Sequence, residues 1–206
     1  QRYLRTRTLF NEDSKTALYR SEISERQTVT IPSIDLLNPY LNYDEHDSVM
    51  KVTRLELKSY MSHMLLRDTD VTSMAHSLEV RVPLIDHKLV EFAAGIPASM
   101  KLGNSYMGKF SGRAKVILID ALADVLPKQI LQRRKQGFFM PVGSWMLNDL
   151  EPIVSEALSS DTVSRRGIFD SSAVRRLRSD FENGRGSYMK VWALLMLELW
   201  QREFID

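Results

Sequence analysis

The 206-residue chain reads as a mainly α protein. Three observations predict this. Apolar residues recur at helical spacing over several stretches. Cap residues such as Asp47 and Asp86 precede those stretches, and Gly95 and Pro97 follow one of them. No alternation of apolar and polar residues runs beyond a few positions, so no strand of useful length is expected.

The elements follow in order. Residues 1–27 read as an irregular arm with a short helix near 14–20. The stretch IPSIDLLNPYL carries Pro32 and Pro39 and reads as a loop or helical turn. From Asp47 the pattern turns helical, with Val52, Leu55, Tyr60, Met61, Met64 and Leu65 near i, i+3 and i+4 spacing. Asp47 or Ser48 can cap its first turn. A second short helix is expected over 70–77, with Asp70 as its N-cap. The segment VRVPLI reads as extended, because Pro83 disfavours a helical Val82. Asp86 then caps a helix through Phe92. Residues 103–112 form a turn-rich link, and Val116, Ile117, Ile119, Ala121 and Leu122 mark another helix ending near Pro127. LQRRKQGFFMPVG is a basic loop around Gly137. Three further helices are expected at about 144–158, 171–183 and 187–204, the last as the core helix.

Composition narrows the function. With 44% hydrophobic and 26% charged residues, the chain can bury a core and is not globally disordered. Residues 1–206 are expected to form one unit. A net charge of +2 argues against a strong nucleic-acid binder. There are no cysteines, which removes disulfides, Cys-type zinc sites and a cysteine nucleophile. His46, His63, His76 and His87 lack ligand spacing, so no metal ligands are assigned. No apolar run approaches the roughly 20 residues of a membrane span. The basic start QRYLRTRTLF has no apolar continuation to make it a secretory signal, and the expected location is the cytoplasm.

Two stretches could carry chemistry. In SLEVRVP, Glu79 and Arg81 stand two apart in an extended link, so their side chains leave one face. A fixed carboxylate beside a fixed guanidinium suits a zwitterionic amino acid. The same residues also suit a plain ion pair, and Asp70 a plain helix cap. In QRRKQGFF, Lys135 precedes Gly137, a residue that permits close approach to a ligand. An ammonium there could neutralise phosphate charge, and a solvated basic patch fits equally. Arg165, Arg166, Arg175, Arg176 and Arg178 alternate with acids and read as a solvated helix face. The ten methionines and three tryptophans read as core.

The combination LELKSYMSHMLLRDTDVTSMAHSLEVRVPLIDHKLVEFAAGIP, with ILQRRKQGFFMPVGSWM and VWALLMLELWQREF, resembles the glutamine-hydrolysing asparagine synthetase family. The similarity runs over essentially the whole chain. It implies the helical C-terminal portion of an α/β adenine-nucleotide-hydrolase-like synthetase domain, with little or no sheet in this part. Family members pair a glutaminase, which uses a terminal Cys, with a synthetase that adenylates aspartate and lets glutamine-derived ammonia attack it. ATP and Mg2+ are implied, but the SGGxDS phosphate loop and the SGExSDE-like segment are absent here, as is the Cys. The resemblance implies catalytic roles for Lys135, at adenylate formation, and Glu79, on the acceptor side. It implies substrate-binding roles for Asp70 and Arg81, and Gly137 is added to them for the close ligand approach that glycine permits. The helical layer, taken without its sheet, is expected to expose an apolar face that a second copy could cover. The alternatives are an amidotransferase on the same scaffold with another acceptor, such as a β-lactam synthetase-like enzyme, and a non-catalytic helical interaction module.

Overall fold

The computed structural model describes residues 3, 7–26, 47–102, 115–131, 137 and 140–206. The protein is mainly α, as the periodicity predicts. Among the described residues there is no strand, only one antiparallel bridge between Tyr19 and Phe169. The chain forms two compact units, residues 35–137 and residues 1–34 together with 138–206.

The discontinuous unit begins with α1 (Glu12–Thr16), capped by Asn11, whose side chain accepts from Ser14 N at 2.9 Å. α2 (Ser21–Arg26) follows. The helix expected over 14–20 is therefore displaced. Leu18 and Tyr19 run instead along residues 168–170, with Arg20 N donating to Ile168 O at 3.1 Å and Asp170 N to Leu18 O at 2.9 Å.

In the unit of residues 35–137, Asp47 caps α3 (Ser48–Glu56) through Val49 N at 2.8 Å. The chain continues without a break through a π-helical stretch (Leu57–Leu65) into α4 (Leu66–Met74). The expectation of a separate helix starting at Asp70 is overturned: Asp70 lies inside α4 and caps nothing. The physical reason is that a π turn changes which residues share a face, so the 3.6 period breaks where the helix does not. Hydroxyls of Thr53, Ser59, Thr69 and Thr72 donate back to carbonyls four residues earlier, which keeps these polar residues satisfied inside the helix. A 3-10 turn (Pro83–Ile85) leads to α5 (His87–Ala94), capped by Asp86 through Lys88 N at 3.0 Å and ended at Gly95. α6 (Ala98–Leu102), α7 (Val116–Ala121) and α8 (Lys128–Leu131) complete the unit. Among its described residues only Leu55 and Ala98 are buried hydrophobics. The link 103–112 and the stretch IPSIDLLNPYL lie outside the described residues.

The discontinuous unit resumes with α9 (Val142–Leu147) and α10 (Glu151–Ala157). A single helix over 144–158 is excluded by Pro152, which can occupy a first turn but not a helix interior. α11 (Ser160–Arg166) has clear punctuation, with Ser159 accepting from Thr162 N at 3.2 Å and Gly167 closing it at φ 71°. α12 (Ser171–Glu182) and α13 (Tyr188–Phe204) match expectation closely. Val191, Leu194 and Leu195 of α13 pack with Leu18, Met146, Val154 and Val174 in one core. α9 packs on α13 at Gly143, where an added Cβ would meet the Tyr188 ring at an ordinary contact distance of 3.4 Å. The aromatic expectation holds only in part: Trp192 packs on the core, while Trp145 and Trp200 stand 40% and 49% exposed.

The arginines are not a uniformly solvated face. Arg166 is mostly buried. It donates Nε to Glu198 at 2.8 Å and two bonds to Asp206 at 2.6 Å. Arg202 donates to the same Glu198 at 2.8 Å and grips Glu156 at 2.7 and 2.9 Å. Arg178 bridges Glu151, Ser155 and Glu182.

Candidate functional site

The segment carrying Glu79 and Arg81 starts at a tight helix stop. Leu78 N donates to Ser73 O at 3.0 Å and Ser77 N to Met74 O at 2.9 Å, with Ser77 at φ 58°. This is the Schellman arrangement, in which a left-handed residue closes the last turn of α4. The position normally suits glycine, and here a serine holds it. Beyond it the backbone is free of regular structure until Val82, extended at φ −113° and ψ 95°, hands over to Pro83. Pro83 fixes that extended residue and opens the 3-10 turn. Asp86 then starts α5. The segment is thus pinned at both ends by local chemistry.

Within it, Arg81 Nη2 meets Glu79 Oε1 at 2.5 Å. The two side chains are 84% and 68% exposed. The spacing of two in an extended link does bring them together on one face. In this state each charge satisfies the other. An amino-acid zwitterion can exchange into such a pair, because its ammonium and carboxylate offer each side chain an equivalent partner.

Asp70 is exposed on α4, and its carbonyl accepts from Ser73 Oγ at 3.1 Å. Gly137 is exposed, and a Cβ added there would meet nothing within 4 Å. Lys135, with the rest of RRKQ, lies outside the described residues.

Among the described residues no three His, Asp or Glu side chains are grouped to hold a metal ion, and the sequence has no glycine-rich phosphate loop. No helix among the described residues is long and apolar enough to cross a membrane.

One feature had little signal in the sequence: the carboxylate Glu198 shared by Arg166 and Arg202. Burial pushes the Glu198 carboxyl up, but hydrogen bonds from the two guanidiniums outweigh it and hold the group below its ordinary value. The Arg202 pair, at i and i+4, was readable; the Arg166 pair, 32 residues apart, was not.

The family model described as asparagine synthase matches residues 1–202. Over 203 residues, 97% of this chain and 30% of the relative, the chain is 24% identical to glutamine-hydrolyzing asparagine synthetase 1 of Bacillus subtilis (strain 168). It is 42% identical over 84 residues to glutamine-hydrolyzing asparagine synthetase 3 of the same organism, covering 41% of this chain and 12% of that protein. Amidase chry2 of Gibberella zeae is 29% identical over 120 residues, 58% of this chain and 18% of the relative. The chain therefore spans less than a third of the length of these relatives. No solved structure matches it.

Proposed function

The chain belongs to the asparagine synthase family, and from that premise we propose that it is part of an ATP-dependent, glutamine-hydrolysing asparagine synthetase of the cytoplasm. The observation that carries this reading is the family match over residues 1–202. The reaction is adenylation of aspartate followed by attack of glutamine-derived ammonia. The chain supplies no phosphate loop of its own. Its contribution is the acceptor side and one cation.

Lys135 provides that cation. Charge accumulates on phosphorus as the adenylate forms, and an ammonium aimed there stabilises the transition state more than the ground state. Glu79 and Arg81 hold the ammonium and carboxylate of the acceptor amino acid, Asp70 adds an acceptor-side carboxylate, and Gly137 permits close approach of a ligand to the backbone. The likeness to amidase chry2 supports a second reading, the same scaffold with a different acceptor.

Lys135→Ala in the full-length protein tests the assignment. Ammonia-dependent synthesis and pyrophosphate release should fall by about 10²–10³, the usual cost of one such electrostatic contact. Glutamate release from glutamine should persist. Lys135→Arg should not rescue, because a planar fork does not replace a compact ammonium. Near-normal ammonia-dependent synthesis by the alanine variant would remove Lys135 from the mechanism. A panel of acceptors assayed by pyrophosphate release separates the two readings.

A further inference from the structure

A groove of about 520 Å³ opens in the unit of residues 35–137, between the α3–π helix and α5. Its size falls within the range of small-ligand sites. One wall is wholly apolar, formed by Leu84, Leu89, Val90 and Ala93. The opposite wall alternates apolar and basic groups along one helix edge, where Leu57 lies beside Arg54 and Lys58. Lys101 of α6 closes the rim and donates Nζ to Met50 Sδ at 3.1 Å. A thioether is a weak acceptor, so this contact steers the ammonium without neutralising it. None of the described residues lining the groove is an Asp or Glu.

That asymmetry specifies a ligand chemistry. Apolar lining alone would accept any greasy molecule. Here Lys58 and Lys101 line the same groove as an apolar floor, so an uncharged occupant would leave the rim's field unused. A charged occupant lacking an apolar body would leave the floor wet. We propose that this groove binds a small organic acid with an apolar body, its alkyl or aryl part on Leu57, Leu89 and Ala93 and its anionic head at Lys58 and Lys101. Asp70, Glu79, Arg81 and Gly137 do not line it, so the site is separate from the acceptor residues and stands or falls independently of them.

The test is a titration of the 206-residue chain, methyl-labelled for NMR, with 4-phenylbutyrate and with its neutral amide. The acid should shift the methyl signals of Leu57, Leu89 and Val90 saturably, leaving the core methyls of Val174 and Leu195 in place. The amide should bind at least tenfold more weakly. The Lys58→Gln, Lys101→Gln double variant should lose about tenfold for the acid and nothing for the amide. Should the double variant unfold, Lys58→Gln alone, at an exposed position, should still weaken the acid by about threefold. Equal binding of acid and amide, unchanged affinity in the lysine variants, or shifts spread over both units would each overturn the proposal.

Discussion

Arg166 reaches Glu198 across 32 residues of sequence, Nε to Oε2 at 2.8 Å, and the same carboxylate receives Arg202 from the next turn of α13. The outer ends of the two guanidiniums hold Asp206 and Glu156. Five charged groups thus tie the C-terminal end of α13 to α10 and α11. Glu198 is the hub, only 5% exposed. Its truncation leaves two guanidiniums facing a cavity, but each keeps one carboxylate. Glu198→Ala should therefore destabilise by about 2 kcal/mol, below the roughly 3–5 kcal/mol seen when a buried charge loses its only partner. Denaturant unfolding of the variant measures this. A change within about 0.5 kcal/mol would mean that the network is passive.

The same cluster sets an acid limit. Hydrogen bonds from Arg166 to Asp206 and from Arg202 to Glu156 hold both carboxyls below their ordinary values. At Glu198 burial works the other way, and the paired guanidiniums prevail. A carboxyl depressed in the folded state contributes stability above its unfolded pKa and loses it as pH falls through the folded one. The melting midpoint should change little from these groups between about pH 7 and 5 and drop below about pH 4. Glu198→Gln should start lower at neutral pH and show a flatter acid limb, so the two curves converge in acid. Parallel curves would show that Glu198 does not titrate with unfolding.

Legibility in the sequence follows the range of the interaction. Caps are local, and Asp47, Asp86 and the start of α12 at Ser171 were readable within a few residues. Pro152 and the Ser159–Gly167 frame were also present in the sequence, yet the apolar pattern of 144–158 hid the break that Pro152 enforces. Asp70 was misplaced because the π-helical stretch removes the 3.6 period while the helix continues. The pairing of Glu79 with Arg81 was legible from a spacing of two. The Arg166–Glu198 pair was not, because nothing local ties α11 to α13.

Ser77 occupies the left-handed stop of α4 at φ 58°. An L-residue with a Cβ is disfavoured there by roughly 1–2 kcal/mol, and glycine is not, although glycine adds freedom to the unfolded chain. Ser77→Gly should stabilise by about 0.5–1 kcal/mol on balance. Ser77→Val should destabilise, since a β-branched residue resists this backbone more strongly. If glycine destabilises instead, the Ser77 side chain contributes something that the backbone argument omits.

The Glu79–Arg81 pair separates stability from function. Both side chains are far more than half exposed, and exposed pairs contribute about 0–1 kcal/mol. Glu79→Gln and Arg81→Gln should leave the denaturation midpoint of the chain almost unchanged. In the full-length protein the same variants should raise the apparent KM for the acceptor amino acid, Glu79 through its ammonium and Arg81 through its carboxylate. Unaltered acceptor kinetics in both variants would reduce the pair to a surface contact.

The segment around that pair also carries unusual apolar exposure. Val71, Met74, Leu78, Val80, Val82 and Leu84 are all 40–60% exposed within fourteen residues. Single exposed hydrophobics are ordinary, but six within one short segment favour association. The 206-residue chain should self-associate in a concentration-dependent way, with an average mass by light scattering that rises above the 23.8 kDa of one copy. Met74→Glu with Leu78→Glu should suppress the rise, because two like charges brought together at a dry contact cost more than the apolar burial returns. Neither residue is buried, so the helix content by circular dichroism should persist. Higher salt should strengthen association of the parent chain if apolar contact drives it and weaken it if charge does. A mass that stays at one copy across the concentration range, in parent and variant alike, would show that this face is tolerated in solution without a second copy.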